Sequence, residues 1–375
     1  MARLDDICAI NMGQSPDSAS YNENGEGMPF FQGNADFGKI HPKVRVWCSA
    51  PTKIAHAGDV LISVRAPIGA LNIADRECCI GRGLAALTVN EGLCVKDYLW
   101  YAIASKVDEL NSKGTGSTFK AISKGVLAET EIPLPDLNEQ KKVAEQLTKV
   151  DGLIDARKEQ LAKLDQLIKS RFIEMFGDPS SNPMGWKATT VGAECYYIKD
   201  GPHKSLPDVS EGNGYPFISV RNIVNGYIDF STAKYISEQD YIESIKKCHP
   251  QKGDMLYSKG GTTGIAKLID VDVEFANWVH LAVLKFDDSL NGVFFENMLN
   301  CDYCYDQSQR LTKGIANRDL VLSAMAQIKM YKPPLKVQEQ FAAFVKQIDK
   351  SKFDLKQSLE KLETLKKSLM QQYFG

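Results

Sequence analysis

One apolar stripe, laid down twice at a fixed separation, limits what this chain can fold into. Val143, Leu147, Val150, Ile154, Leu161, Leu164, Ile168 and Met175 step by four and three residues, with Arg157 and Arg171 in the remaining slots. This is the a/d seam of one long helix. Adding 198 to the numbers returns the seam as Phe341, Val345, Ile348, Leu355, Leu359, Leu362, Leu369 and Tyr373, with Lys352 and Lys366 near the polar gaps. The flanks keep the same offset. Pro135 and Leu137 match Pro333 and Leu335, Gln140 matches Gln338, and Phe176-Gly177 matches Phe374-Gly375.

Helices of about 35 residues would each be roughly 50 Å long. Neither can bury its stripe alone, so packing on each other is the simplest outcome. The same pattern also fits a generic, homodimeric coiled coil. Duplication within one chain favours the intramolecular pair, because the second helix is already tethered to the first. Asp136 followed by Glu139 predicts a capping-box start, and Gly177 before Asp178-Pro179 predicts a stop.

The segments before the helices repeat a second plan. Pro216-Phe217 answers Pro29-Phe30, and Gly253-Asp254 before Met255–Ser258 answers Gly58-Asp59 before Val60–Ser63. Leu281–Leu284 answers Leu84–Leu87. A helix near Phe294–Gln309 answers one from Asp97, near its N-cap, to Leu110. Gly314 follows Gly116 by 198. The expected organisation is block 1–130, helix 131–177, block 178–330, helix 331–375. The expected class is α+β: two α/β blocks, two long helices in an antiparallel coiled coil, and an internal pseudo-two-fold repeat. Antiparallel pairing would place the blocks at opposite ends of a ~50 Å spacer.

Composition matters mainly for what it excludes. At 375 residues, with 43% apolar and 25% charged residues, the chain is an ordinary globular protein with room for more than one core. No apolar run reaches a membrane-spanning length of about 18 residues. The start, MARLDDICAI, puts an acidic pair where a signal peptide needs apolar residues, so the expected location is cytoplasmic. The nine cysteines show no framework spacing, and Cys301/Cys304 is a CxxC without the second pair a zinc site needs. Net charge is −2, so any nucleic-acid binding requires locally concentrated positive charge or a partner that supplies it.

Two unlike heads on a fixed spacer suit a periodic target, and duplex DNA repeats about every 34 Å. Unlike heads imply an asymmetric, two-part site. Arg and Lys can grip guanine, Asn and Gln adenine, and Gly-rich backbone can approach phosphate. The candidates in block one are Gln14, Ser15, Gln32, Asn34, Arg65, Arg82, Ser117, Thr118 and Lys120. In block two they are His203, Lys204, Arg221, Asn222, Lys259, Thr262, Thr263, Arg310 and Lys313. Taken singly, each also fits a solvated loop residue. Lys259–Gly264 lacks phosphate-loop spacing and fits a tight hairpin turn better.

At these residues the whole chain resembles the specificity subunit of type I restriction–modification systems. PLPDLNEQKKV (133–143) and PPLKVQEQF (333–341) resemble the family's conserved spacer regions. The first target recognition domain is carried by GQSPDSASYNENGEG (13–27), MPFFQGNADFG (28–38), GDVLISVRAPIG (58–69) and CCIGRGLAAL (78–87). The second is carried by KDGPHKSLP (199–207), YPFISVRNI (215–223) and GDMLYSKGGTTG (253–264). The resemblance implies that each domain reads half of a split DNA sequence through the major groove and that the coil sets the gap. It also implies that two methyltransferase subunits dock on the coil and methylate adenine N6 with S-adenosylmethionine, the adenine being flipped out. A restriction subunit can join them, with ATP and Mg. No cofactor is expected in this chain.

Motifs for catalysis are missing. The nearest string to an amino-methyltransferase motif, Asn182-Pro183-Met184-Gly185, lacks the second proline and the aromatic. Asp136, Glu139 and Lys141 look like a compressed nuclease triad but fall on a helix start, where carboxylates are ordinary. No Walker motif or Gly-x-Ser-x-Gly elbow is present. The competing reading is a coiled-coil scaffold whose heads bind proteins; the Gly, Asn, Arg and Thr content of the loops favours DNA.

Overall fold

The structure is a computed structural model that describes residues 1–116, 120–209 and 212–375. Its longest elements are two helices of 40 residues each, Leu137–Phe176 and Leu335–Phe374. Asp136 caps the first, its Oδ1 accepting from the N–H groups of Asn138 (2.9 Å) and Glu139 (3.0 Å). The acidic cluster at Asp136 is therefore helix-start chemistry. The second helix has no such carboxylate; the N–H groups of Val337 and Gln338 reach the Pro334 carbonyl at 2.9 and 3.3 Å. Gly177, at φ +75°, closes the first helix by donating to the Ile173 carbonyl. No helix among the described residues is long and apolar enough to cross a membrane.

The chain divides into two compact units, Met1–Lys158 with Gln357–Gly375, and Glu159–Lys356. Each unit therefore holds one sequence block and a segment of each long helix. The strands of the first unit are β1 (Ala2–Arg3), β2 (Cys8–Met12), β3 (Tyr21–Asn22), β4 (Met28–Phe31), β5 (Trp47–Cys48), β6 (Ile54–Ala55), β7 (Val60–Ser63), β8 (Leu71–Ile73), β9 (Cys78–Ile80), β10 (Leu84–Val89) and β11 (Glu131–Ile132). Strands β2-β10-β7-β8 form an antiparallel sheet. Both its faces are covered. Val60, Ile62, Ala85 and Leu87 join the core that holds the helix stripe, while Leu61, Leu84 and Ala86 join a second core on the other face. That is why VLIS and LAAL read as unbroken apolar runs instead of alternating ones. A second sheet contains the parallel pair β4–β9.

The second unit repeats this plan with β12 (Lys187–Thr190), β13 (Cys195–Asp200), β14 (Tyr215–Ile218), β15 (Lys234–Ile236), β16 (Met255–Ser258), β17 (Ala266–Leu268), β18 (Ala276–Asn277), β19 (Leu281–Phe286) and β20 (Lys329–Lys332). Its main sheet, β13-β19-β16-β17, has the order of β2-β10-β7-β8, and its parallel pair β14–β18 answers β4–β9. Every cross-block match read from the sequence holds in this topology. The helix Glu238–Lys247 has no counterpart among the described residues of the first unit.

The helix segments pair antiparallel within each unit. In the first, Asp151 meets Lys366 (2.7 Å), Lys158 meets Glu363 (3.2 Å) and Gln146 accepts from the Tyr373 hydroxyl (2.8 Å). In the second, Asp165 meets Lys352 (2.7 Å), and the Arg171 guanidinium lies over the Phe344 ring. The seam lysines are thus placed by carboxylates of the facing helix. Beyond the seam, Phe172, Phe176 and Phe374 are also buried. There the block adds a third layer, so a stripe wider than a/d goes inside. Leu161, Leu164, Leu359 and Leu362, which belong to none of the block cores, stay half-buried.

Two helix expectations are corrected. The stretch from Asp97 to Leu110 is two helices, Lys96–Ser105 and Val107–Ser112, and its N-cap is Val95. The counterpart is likewise Gly292–Asn300 and Asp302–Leu311, broken at Cys301. A buried glutamine explains the Val95 start: Gln140 Oε1 accepts the Val95 N–H (2.8 Å), while its Nε2 donates to the carbonyls of Leu93 (3.0 Å) and Pro135 (2.8 Å). Gln338 repeats the device, accepting the Asn291 N–H (2.8 Å) and donating to Pro333 (2.8 Å).

Candidate nucleic-acid interface

Each unit gathers its polar loops where β2 and β7 end and β10 begins, or where β13 and β16 end and β19 begins. A glycine makes the gathering possible in both. A Cβ on Gly13 would lie 2.2 Å from the Gly81 carbonyl oxygen, and one on Gly201 1.8 Å from that of Asn277. Only glycine lets the backbones close to this distance.

In the first unit this closure brings Gln14, Ser15, Gln32 and Arg82 together. The Gln14 N–H donates to Ile80 (3.0 Å), and Ser15 Oγ accepts the Arg82 N–H (3.3 Å). A Cβ on Gly83 would press on the Gln32 carbonyl. The Val64 N–H donates to Gly83 (2.9 Å), which brings in Arg65, and the Ala66 N–H donates to Lys120 (3.0 Å). Arg65 also pairs with Ala121 in an isolated bridge. The side chains of Gln14, Gln32, Arg65, Arg82 and Lys120 are exposed; Ser15 and Asn34 are half-buried. Asn34 opens a short turn whose buried Asp36 accepts the Gln32 N–H (2.7 Å) and pairs with Arg45. Ser117 and Thr118 lie outside the described residues.

The second unit is organised around a buried carboxylate. Asp200 receives Lys247 Nζ at 2.7 Å, Lys259 Nζ at 3.6 Å and His203 Nε2 at 3.3 Å. Burial works to raise the Asp200 pKa, but Lys247, Lys259 and His203 together hold it below its ordinary value. Lys259 also pairs with Asp319 (2.8 Å), while the Leu320 N–H donates to Lys259 (2.7 Å) and the Gly261 N–H to Arg318 (3.0 Å). The loops at 201–204, 259–264 and 313–319 therefore form one surface. Lys259–Gly264 is the lead of the β16–β17 hairpin connection, as its spacing suggested.

Three candidates are corrected. Asn222 is buried; its Oδ1 accepts the Ser219 N–H (2.8 Å) and its Nδ2 donates to Asp229 (3.0 Å), the turn-closing job Asp36 does in the first unit. Lys259 is buried in the ion-pair network. Thr263 is buried against Thr312 Oγ1 (2.9 Å). All three have their polar groups spent inside the fold, so they support the surface and do not present themselves on it. His203, Lys204, Arg221, Thr262, Arg310 and Lys313 are exposed. Lys204 faces Asp240 (3.9 Å) on the helix peculiar to this unit, Arg221 donates to the Thr232 carbonyl (2.9 Å), and Arg310 lies along its helix near Asp306 (4.0 Å).

Arg318 escaped the sequence reading. It is exposed, and its guanidinium donates to Gln309 Oε1 and Thr263 Oγ1. A signal was present: Arg318 follows Lys120 by the repeat of 198, and the bridges Thr115–Ala121 and Lys313–Asp319 confirm the equivalence.

Two copies of one topology, each carrying a different set of exposed polar loops and each built onto paired helix segments, define a duplicated recognition protein. The chain belongs to the family of type I restriction modification DNA specificity domains, which it matches twice, over residues 1–166 and 195–367. It is 42% identical over 160 residues to the candidate MjaX type I restriction enzyme specificity subunit of Methanocaldococcus jannaschii, a stretch covering 43% of this chain and 38% of that protein. The MjaIX type I restriction enzyme specificity subunit of the same organism is 27% identical over 250 residues, covering 62% of this chain and 57% of the relative. The chain thus covers less than two thirds of either relative. Among solved structures, the type I restriction-modification system S subunit from M. genitalium matches 100% of this chain and 95% of its own, with a TM-score of 0.63 at 17% identity, a likeness of fold.

Proposed function

We propose that this chain is the DNA-reading subunit of a type I restriction–modification complex. Each unit reads one half of a split, asymmetric DNA sequence. The observation that carries the reading is the internal repeat with unlike loop surfaces: Gln14, Gln32, Arg65, Arg82 and Lys120 in one unit, and His203, Lys204, Arg221, Thr262, Lys313 and Arg318 in the other. Equal frames with different exposed donors and acceptors suit two different half-sites.

In this proposal the chain performs no catalysis. The paired long helices set the gap between half-sites and dock two methyltransferase subunits, which bring S-adenosylmethionine and methylate adenine N6. A restriction subunit joins with ATP and Mg. Support for docking comes from a groove of about 550 Å³ in the first unit between Val95, Asp97 and the helix face from Lys141 to Lys149. Its lysines and glutamate are solvated charges on an otherwise regular helix. The test is an exchange of residues 1–130 for those of another family member, co-expressed with the methyltransferase, followed by methylome sequencing. One half of the methylated motif changes and the other is retained; a change in both halves, or in neither, refutes the reading.

A further inference from the structure

The CxxC pair plays no part in the proposed reading surface. Of the nine cysteines, eight are buried, and Cys301 alone is partly exposed. Cys301 ends the helix Gly292–Asn300 and is the N-cap of the ten-residue helix Asp302–Leu311, with φ −70° and ψ 154°. Cys304 lies in the first turn of that helix, beneath it and buried. The N-cap and the third helical position lie one turn apart on the same side of the helix, which places the two cysteines side by side. The Cys304 thiol, and after it the backbone N–H groups of Cys304 and Tyr303, hold the Cys301 thiol below its ordinary value against burial. Cys304 is pushed the other way, by the Cys301 sulfur first and burial second.

The surroundings fix this geometry. Cys304 Sγ lies 3.5 Å from the Lys329 carbonyl of β20, and Tyr303 stacks on Tyr331 of the same strand with ring centroids 5.8 Å apart. Among the described residues no group of three or more His, Cys, Asp or Glu could hold a metal ion, so a metal has no third ligand here. A partly exposed cysteine at a helix N-cap, with a buried cysteine one turn inside, is the arrangement in which the first attacks and the second resolves.

We propose that Cys301 and Cys304 form a dithiol that exchanges with small-molecule disulfides and closes an intramolecular disulfide at the start of this helix. The Cys301 thiolate attacks one sulfur of R–S–S–R. A Cys301–S–R bond forms, the oxidant's S–S bond breaks, and the released RS⁻ takes up the proton that Cys301 gave up. The Cys304 sulfur then loses its proton and attacks Cys301 Sγ, and a second RS⁻ leaves and is protonated. Two thiols are oxidised by two electrons, and one disulfide is reduced to two RSH.

The experiment uses the full chain, reduced, then exposed to glutathione disulfide, acid-quenched, alkylated and mapped by peptide mass. The expected product is a peptide holding Cys301 and Cys304 that has lost two hydrogens, while the other seven cysteines alkylate only after denaturation. Recovery of both as free thiols, or a stable glutathione adduct on wild-type Cys301, overturns the proposal. The Cys304→Ala variant should accumulate that adduct, and Cys301→Ser should protect Cys304; oxidation of Cys304 at the wild-type rate in Cys301→Ser overturns the order of attack. Because Cys304 is buried, a second measurement leaves the fold intact: the pH midpoint of wild-type Cys301 alkylation should fall below that of a free cysteine peptide, and an equal or higher midpoint refutes the assignment.

Discussion

Gln140 and Gln338 are buried amides that answer to backbone on both sides. Each accepts the N–H at the start of a block helix and donates to the proline carbonyl before its own long helix. Replacing either by leucine keeps the volume but leaves one backbone N–H without its partner, together with two carbonyls at Gln140 or one at Gln338. The expected loss is about 1–3 kcal/mol for each variant, read from the denaturant midpoint; a loss within experimental error would show the amides to be dispensable. Asp200 gives a pH prediction. Its folded pKa lies below the ordinary 3.8, so its ionised form stabilises the fold. That contribution is complete above 3.8 and is lost as pH falls through the lower folded value. Asp200→Asn should lower stability at neutral pH and flatten its fall in that acidic window. An unchanged acid slope would place the titration elsewhere.

At the scale of elements, the long helices are held in two ways. In each unit their ends enter a block core through Phe172, Phe176 and Phe341, or through Val143, Leu147 and Phe374. Further along, charged pairs such as Asp151–Lys366 and Asp165–Lys352 position the seam. These pairs are partly exposed and contribute little energy, about 1 kcal/mol or less each. They instead fix which residues face each other. If the helices set the half-site gap, adding one turn to both should lengthen it in the methylated motif without changing either half-site. A turn adds about 5.4 Å, between one and two base-pair steps of duplex. A methylome with the original gap would show that the helices do not measure it.

For the molecule as a whole, a net charge of −2 predicts weak binding in isolation. The exposed Arg65, Arg82, Lys120, Lys313 and Arg318 are local positive charge on a near-neutral chain. Counterion release from so few contacts gives modest affinity, with a salt dependence shallower than that of a more basic surface. A gel-shift series should show tight, sequence-specific binding only with the methyltransferase partner present; equal affinity without it would mean that this chain alone supplies the binding energy.

The amino-acid order alone determined the duplicated helices, their antiparallel pairing and the correspondence of the strand plans. Periodicity and fixed spacing are local signals, and burial of a stripe on a tethered copy has few solutions. Only the tertiary structure decided which polar residues are presented. Arg221 and Asn222 are neighbours in sequence, yet one is exposed and the other closes a turn. Lys259 and Lys313 share a residue type, but Asp200 and Asp319, from distant loops, bury the first. Such sorting depends on which carboxylate or carbonyl arrives from elsewhere in the chain, and no short-range pattern encodes that arrival.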